Sequence, residues 1–185
     1  TLPDQLVTMP KHTFYGCSGL ETVTFGTGLT SIGDWAFEAC SSLQAADFPA
    51  SLDSIGTGAF SGCTSLAEVH LNEGLETIGA GAFDGVAFGK KNLTGDIVDG
   101  TGMLTIPGSV TAIGGAAFRN SECLKTVEFE NGAAELSMSS DYQYEGNQGA
   151  FRGCKALKQV TLPDQLVTMP KHTFYGCSGL ETVTF

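Results

Sequence analysis

Apolar and polar positions recur along this chain in a fixed frame. The anchor of the frame is a phenylalanine, found at Phe14, Phe37, Phe60, Phe83, Phe118, Phe151 and Phe174, with spacings of 23, 23, 23, 35, 33 and 23. The units LTSIGDWAFEACSSLQAADF (29–48) and LDSIGTGAFSGCTSLAEVHL (52–71) display it most plainly, and VTAIGGAAFRNSECLKTVEF (110–129) follows it with one slip. A fixed period of this length marks a repeat architecture, in which a unit buries its apolar residues only against its neighbours.

Each unit holds two short apolar segments. Leu20-x-x-Val23-x-Phe25 ends in strand alternation, and its equivalents end at Phe48, Leu71, Ile106, Phe129, Leu162 and Phe185. The other segment, such as Leu29 to Ile32 or Leu52 to Ile55, runs into Gly33 or Gly56, residues suited to a sharp turn. The A-F-x-x-C stretch that follows reads as a helical or 3₁₀ turn. A unit this short has no room for a full helix plus strand and loops. The pattern therefore predicts a right-handed or superhelical stack of short coils, one rung per repeat, with a parallel β ladder along one face and little helix. Parallel strands lie about 4.8 Å apart, so Phe14 and Phe174 are expected about 29 Å from one another.

Residues 1–185 read as a single repeat domain with two stretched units. Insertions near 87–102 and 137–148 lengthen two of the spacings, and solenoid insertions emerge as loops or short hairpins, often on a binding face. A longer period overlies the short one. Residues 161–185 repeat residues 1–25, TLPDQLVTMPKHTFYGCSGLETVTF, letter for letter. By contrast, 6–25 matches 29–48 at only six of 20 aligned places. The duplication is thus a separate and later event than the short repeat. Two origins fit: tandem long blocks in a parent protein, each spanning 1–160 or its equivalent, or an artificial extension supplying a covering rung.

Composition narrows the function. Apolar residues make up 42% of the chain, enough for a continuous core, and 25 glycines serve its many turns. Nine Lys and Arg face 20 Asp and Glu, a net charge of −11. An acidic surface repels phosphate backbones and anionic lipid, which argues against nucleic acid as a partner. No run reaches 18 apolar residues, so insertion into a membrane is not expected either. No leader of basic then apolar residues opens the chain.

The candidate chemistry is sparse. Five of the six cysteines, Cys17, Cys40, Cys63, Cys154 and Cys177, occupy one repeat position, and this predicts buried thiols packed as small hydrophobes. Cys123 falls outside that register. No C-x-x-C occurs and no pair spacing suits zinc. His12 and its copy His172 sit in a turn and read as solvated, while His70 takes an outward strand position. Nothing resembles an activated nucleophile with a general base, so no catalytic residues, no metal site and no cofactor are predicted. DIVDGTG (96–102) clusters two carboxylates with glycine, but it lacks the spacing and the terminal Glu of an EF-hand loop and reads as an acidic turn.

The frame L-x-x-I-G-x-x-A-F-x-x-C-x-x-L-x-x-V-x-F resembles the BspA-like, or Treponema pallidum type, leucine-rich repeats of bacterial surface proteins. Ile32-Gly33, Ala36-Phe37, Cys40, Leu43 and Phe48 carry the likeness in one unit, and it extends over nearly the whole chain. Departures are Met9-Pro10 and Met169-Pro170 in place of Ile-Gly, Val86 at a cysteine place, and Ser121 at the next, with Cys123 two residues later. The resemblance implies a right-handed leucine-rich repeat solenoid of about seven 23-residue repeats. It also implies an extracellular or cell-surface location and a non-catalytic role in adhesion to host proteins or other cells.

The expected function is a protein-binding or adhesion module for a host protein or glycan; the alternative is a structural spacer within a long repetitive surface protein. Candidate partner-binding residues are Asp47, Glu68, His70 and Glu128 on outward ladder positions, and Tyr142 and Tyr144 in the second insertion. Tyrosine offers apolar area plus a hydroxyl at low entropy cost, which suits interfaces. The two copies of the duplicated segment are expected to superpose closely and to differ at their exposed sides. End-to-end self-association is expected from the cut rungs at the two ends.

Overall fold

A computed structural model describes residues 1–91, 97–99, 102–132, 134–140 and 149–185. Each repeat is one coil of a parallel β-solenoid of about seven turns, and no helix occurs among the described residues. The dipeptide before each turn, Ser31–Ile32 in one coil and Ser54–Ile55 in the next, forms a strand of two residues with the isoleucine inward. These short strands build one unbroken sheet. Its members are β1 (Thr8–Met9), β2 (Ser31–Ile32), β4 (Ser54–Ile55), β6 (Thr77–Ile78), β10 (Ala112–Ile113), β12 (Leu136–Met138) and β14 (Leu166–Thr168), in that order and all parallel. Register is kept column by column: Met9 pairs Ile32, Ile32 pairs Ile55, Ile55 pairs Ile78 and Ile78 pairs Ile113.

The segment that alternates most clearly in sequence forms the less continuous ladder. It gives β3 (Ala45–Asp47) paired with β5 (Glu68–His70), and separately β9 (Met103–Ile106), β11 (Thr126–Phe129), β13 (Gln159–Thr161) and β15 (Thr182–Thr184). The break falls between β5 and β9, where the first insertion leaves the frame. There, β7 (Lys90–Lys91) pairs antiparallel with β8 (Ile97–Asp99), the hairpin expected of such an insertion. Residues 20–25 of the first coil form no strand at all. The single ladder expected from sequence is thus two ladders, and the alternating segment builds the broken one.

The core between the ladders is a column of phenylalanines. Phe14, Phe37, Phe60, Phe83, Phe118, Phe151 and Phe174 stack ring on ring at 5.0–5.5 Å between centroids, within 19° of parallel. The five inner rings are fully buried, and each end ring has one neighbour only in the column. Phe25, Phe48, Phe88 and Phe129 meet this column edge-on or tilted. An offset stack with edge-on flanks suits aromatic quadrupoles, and each pair adds about 1 kcal/mol beyond area burial.

The A-F-x-x-C stretch is a turn, but it is not helical. The residue two after each phenylalanine has a left-handed backbone in every coil: Gly16, Ala39, Gly62, Gly85, Asn120, Gly153 and Gly176, with φ between 58° and 78°. Such a φ interrupts a right-handed helical turn. Five of the seven are glycine, which takes this conformation without strain. Ala39 does so with its methyl exposed and so loses nothing by truncation. Ala39→Gly is therefore expected to stabilise the fold by about 0.5–1 kcal/mol, the αL cost of alanine less the extra unfolded-state entropy of glycine. Urea titration of the two proteins measures it, and a fall in midpoint would contradict it.

The cysteine column reaches backwards. The Cys40, Cys63, Cys154 and Cys177 thiols each donate to the carbonyl of the phenylalanine one coil upstream, Phe14, Phe37, Phe118 and Phe151, at 3.1–3.2 Å. The expectation of five buried thiols fails in part. Cys40, Cys63 and Cys154 are buried, Cys177 is half-buried, and Cys17, in the first coil described, is exposed. All six are free thiols. Cys123, outside the register, is buried as well. Ser121 replaces its cysteine without an orphaned hydroxyl, because it donates to Phe118 O at 2.9 Å. Burial pushes the Cys40 thiol up to about 11 and the Cys63 thiol up to about 12, so both are protonated and inert at neutral pH.

Candidate binding surfaces

The unbroken sheet carries small polar side chains on its outer face. Thr8, Ser31, Ser54 and Thr77 form a column, continued by Ala112 and Ser137, because each strand from β1 to β12 in this sheet is registered with the next. An open groove of about 660 Å³ runs along it from Thr8 to Ser139. Lys11 and Asp34 stand at one rim. Asp34 is held by the Thr57 N–H, which donates to its Oδ1 at 2.8 Å. Beyond that rim lies an aromatic group that sequence reasoning reads only as turn residues. His12 stacks on Trp35 with centroids 5.1 Å apart and planes 12° apart, and Tyr15 meets His12 edge-on at 5.5 Å. Both His12 and Trp35 have positive φ, at 57° and 53°. The signal is present in sequence as the glycines at 58 and 81, which mark the same left-handed position in the next two coils. Burial raises the nearby Glu38 carboxyl, with His12 acting in the opposite sense.

The broken ladder carries the candidates named from sequence. Asp47 and His70 are registered side by side on β3 and β5, both exposed, and Glu68 lies beside Ala45. Glu68 and His70 also line a cleft of about 280 Å³ at the break, together with Phe88, Met103 and Thr105. Glu128 is half-buried on β11, registered with Thr105 on one side and Thr161 on the other. The fold thus gathers Asp47, Glu68 and His70 at one place and sets Glu128 beyond an intervening strand. Tyr142 and Tyr144 lie outside the described residues, as do parts of the acidic turn at 96–102.

A third surface, of about 590 Å³, lies over the turns after the cysteine column, with Glu21, Ser42, Gln44, Thr64 and Glu122 around it. Ion pairing here is modest. Arg119 holds Asp84 through two bonds, Nε to Oδ1 at 3.0 Å and Nη2 to Oδ2 at 2.5 Å, tying two coils across the first insertion. Asp4 accepts from the backbone N–H and then the hydroxyl of Thr27, and both lower its carboxyl below the usual range. Among the described residues no three His, Cys, Asp or Glu side chains converge as a metal site.

Short parallel strands, a stacked phenylalanine column and one coil per repeat define a leucine-rich repeat protein. The family profile described as "BspA type Leucine rich repeat region" matches residues 1–98 and 101–185 in six copies, and the chain belongs to that family. A leucine-rich repeat protein from Bacteroides ovatus is 31% identical and superposes with a TM-score of 0.78 over 97% of this chain and 41% of its own. The chain therefore spans less than half the length of that relative. The Treponema pallidum leucine-rich repeat protein is 28% identical, with a TM-score of 0.74 over 97% of this chain and 76% of its own. A comparison with curated proteins gives no match. Leucine-rich repeat proteins generally mediate protein interactions, and this solenoid family is typically non-enzymatic.

Proposed function

We propose that this chain is an extracellular or cell-surface adhesion module that binds a host protein or a glycan without catalysis. One observation carries the reading: the unbroken sheet presents, along β1 to β12, an open groove in which a column of hydroxyl-bearing and small side chains lies beside apolar ones, with Lys11 and Asp34 at its edge. A shallow groove of this kind, mostly apolar along its floor with a hydroxyl in most coils, offers many weak contacts over an extended surface. That suits a protein segment or an oligosaccharide better than an enclosed small molecule. The Asp47, Glu68 and His70 group on the other ladder is a secondary contact, with Glu128, Tyr142 and Tyr144 as further candidates.

The experiment is a binding screen of the chain against matrix proteins and glycans, followed by two variants against whichever ligand binds. Ser54→Arg with Thr77→Arg fills the groove, and Glu68→Lys with His70→Asp alters the other ladder. The groove variant is expected to weaken binding more than tenfold, or about 1.4 kcal/mol, with its melting temperature retained. Background binding across the whole panel would sink the proposal. Loss only in the second variant would move the site to the broken ladder. The spacer reading retains one supporting observation, the duplication of 1–25 at 161–185, which suits a protein assembled from repeated blocks.

A further inference from the structure

The second ladder is cut inside the chain, between two strands that hold the same place in their coils. Among the described residues β5 pairs with β3 alone, and β9 ends the sheet that continues through β11. Where coils of this ladder do pair, the inward residues are covered. Ala46, Leu104 and Val127 are buried, and so are Phe48, Ile106 and Phe129 two residues on. On the coil of β5 the matching Val69 and Leu71 are only half-buried. A cleft of about 280 Å³ opens there, lined by the apolar Val69, Leu71 and Phe88 and the polar Glu68, His70 and Thr105. The N–H of Glu68 donates toward β3, to Gln44 O. Successive residues of a strand turn their backbone groups to opposite edges, so the N–H and C=O of Val69 and Leu71 point into the cleft. An edge of this kind is a template for pairing with another chain.

We propose that this break is a docking site for an extended segment of a partner protein, added as a parallel strand on β5. The backbone of that segment bonds Val69 and Leu71, and its alternate apolar side chains cover the same two residues. Charge picks the residue beside Glu68. Glu68 is exposed, Asp47 lies one strand further on, and the chain has a net charge of −11, so a lysine or arginine of the partner answers them. Met103, at the matching outward position across the cleft, is 41% exposed and offers apolar surface to the stem of that side chain. The motif is thus basic, apolar, polar, apolar, read in parallel with residues 68–71. Its insertion sets β5 and β9 about 9.6 Å apart, two parallel spacings. The sheet through β4, β6 and β10 runs unbroken past the same coils and is the hinge for that opening. The site is separate from the groove on that sheet and does not depend on the groove binding anything.

The test is fluorescence anisotropy of the full chain with the labelled peptide Ser-Lys-Val-Thr-Leu-Ser. Saturable binding is expected, and Glu68→Lys is expected to weaken it about tenfold. The charge-reversed peptide Ser-Glu-Val-Thr-Leu-Ser is expected to prefer the Glu68→Lys chain, an outcome that loss of fold cannot produce. Methylating the threonine nitrogen of the first peptide removes the donor to Val69 O and keeps every side chain, and a loss of about tenfold is expected. Ser54→Arg with Thr77→Arg, which fills the groove, is expected to leave the affinity unchanged. Absence of saturable binding would overturn the proposal. Binding indifferent to the N-methyl group would overturn strand addition, and lost affinity in the groove variant would overturn the location.

Discussion

Phe83→Ala should cost about 4 kcal/mol and divide the solenoid into two unequal folding units. Phe83 is fully buried at the middle of the ring column, 5.4 Å from Phe60 and 5.5 Å from Phe118, each within 4° of parallel. Phe88 meets it edge-on at 6.0 Å. Truncation removes a whole ring from a site whose neighbours are held by ladders on both sides, so the cavity cannot collapse. A solenoid coil contacts only its neighbours, and this coil is also where the second ladder is already broken between β5 and β9. Urea unfolding followed by Trp35 fluorescence and by far-UV circular dichroism should therefore separate into two transitions, with the Trp35 half losing its cooperative link to residues 103–185. Coincident transitions shifted by less than about 1 kcal/mol would contradict the argument. Phe185→Ala, at a ring 85% exposed, is the matched control and should stay within about 0.5 kcal/mol of the parent.

Gly79→Ala should cost nearly as much, about 3 kcal/mol, although it adds a single methyl group. A β-carbon at 79 would lie 2.5 Å from Gly56 C and from Thr57 N, and 2.7 Å from Gly56 O. All three are backbone atoms of the preceding coil, so no side chain can swing aside. Relief requires opening the pairing of β4 with β6 in the unbroken sheet. Gly33 and Gly56 make the same close approach to the coils before them, with backbone atoms at 2.7 Å. Gly85→Ala separates this cause from ordinary backbone strain. Its φ is 72° and an added β-carbon would meet nothing within 4 Å, so it should lose only about 1 kcal/mol. Thermal unfolding of the two variants side by side reads the difference, and equal losses would mean that the close approach is not the cause.

Much of this is legible in the sequence because stacking repeats its demands. The phenylalanine column, the family and the outward placing of Asp47, Glu68 and His70 all follow from residues recurring in register. The glycine before each turn reads as a turn former. In the structure Gly33, Gly56 and Gly79 are there because another coil's backbone passes too close for a β-carbon. The left-handed turns are hidden for a related reason. Ala39, Trp35 and His12 give no sign of positive φ by themselves, and only alignment with Gly62, Gly58 and Gly81 marks the position.

The amino-acid order by itself determined that this is a one-coil-per-repeat stack with an aromatic core, and that its first and last segments, 1–25 and 161–185, are interchangeable. It did so because a side chain's column in a solenoid is set by its place in the period. Only the tertiary structure decided which ladder runs unbroken. A strand of two residues such as Ser31–Ile32 carries no period of its own and exists only because Met9 and Ile55 are paired on either side. The longer alternating segment is interrupted because the first insertion leaves β5 and β9 unpaired with each other. Burial is settled in the same way: Met9 and Phe25 are buried where Met169 and Phe185, in a segment of identical sequence, are exposed.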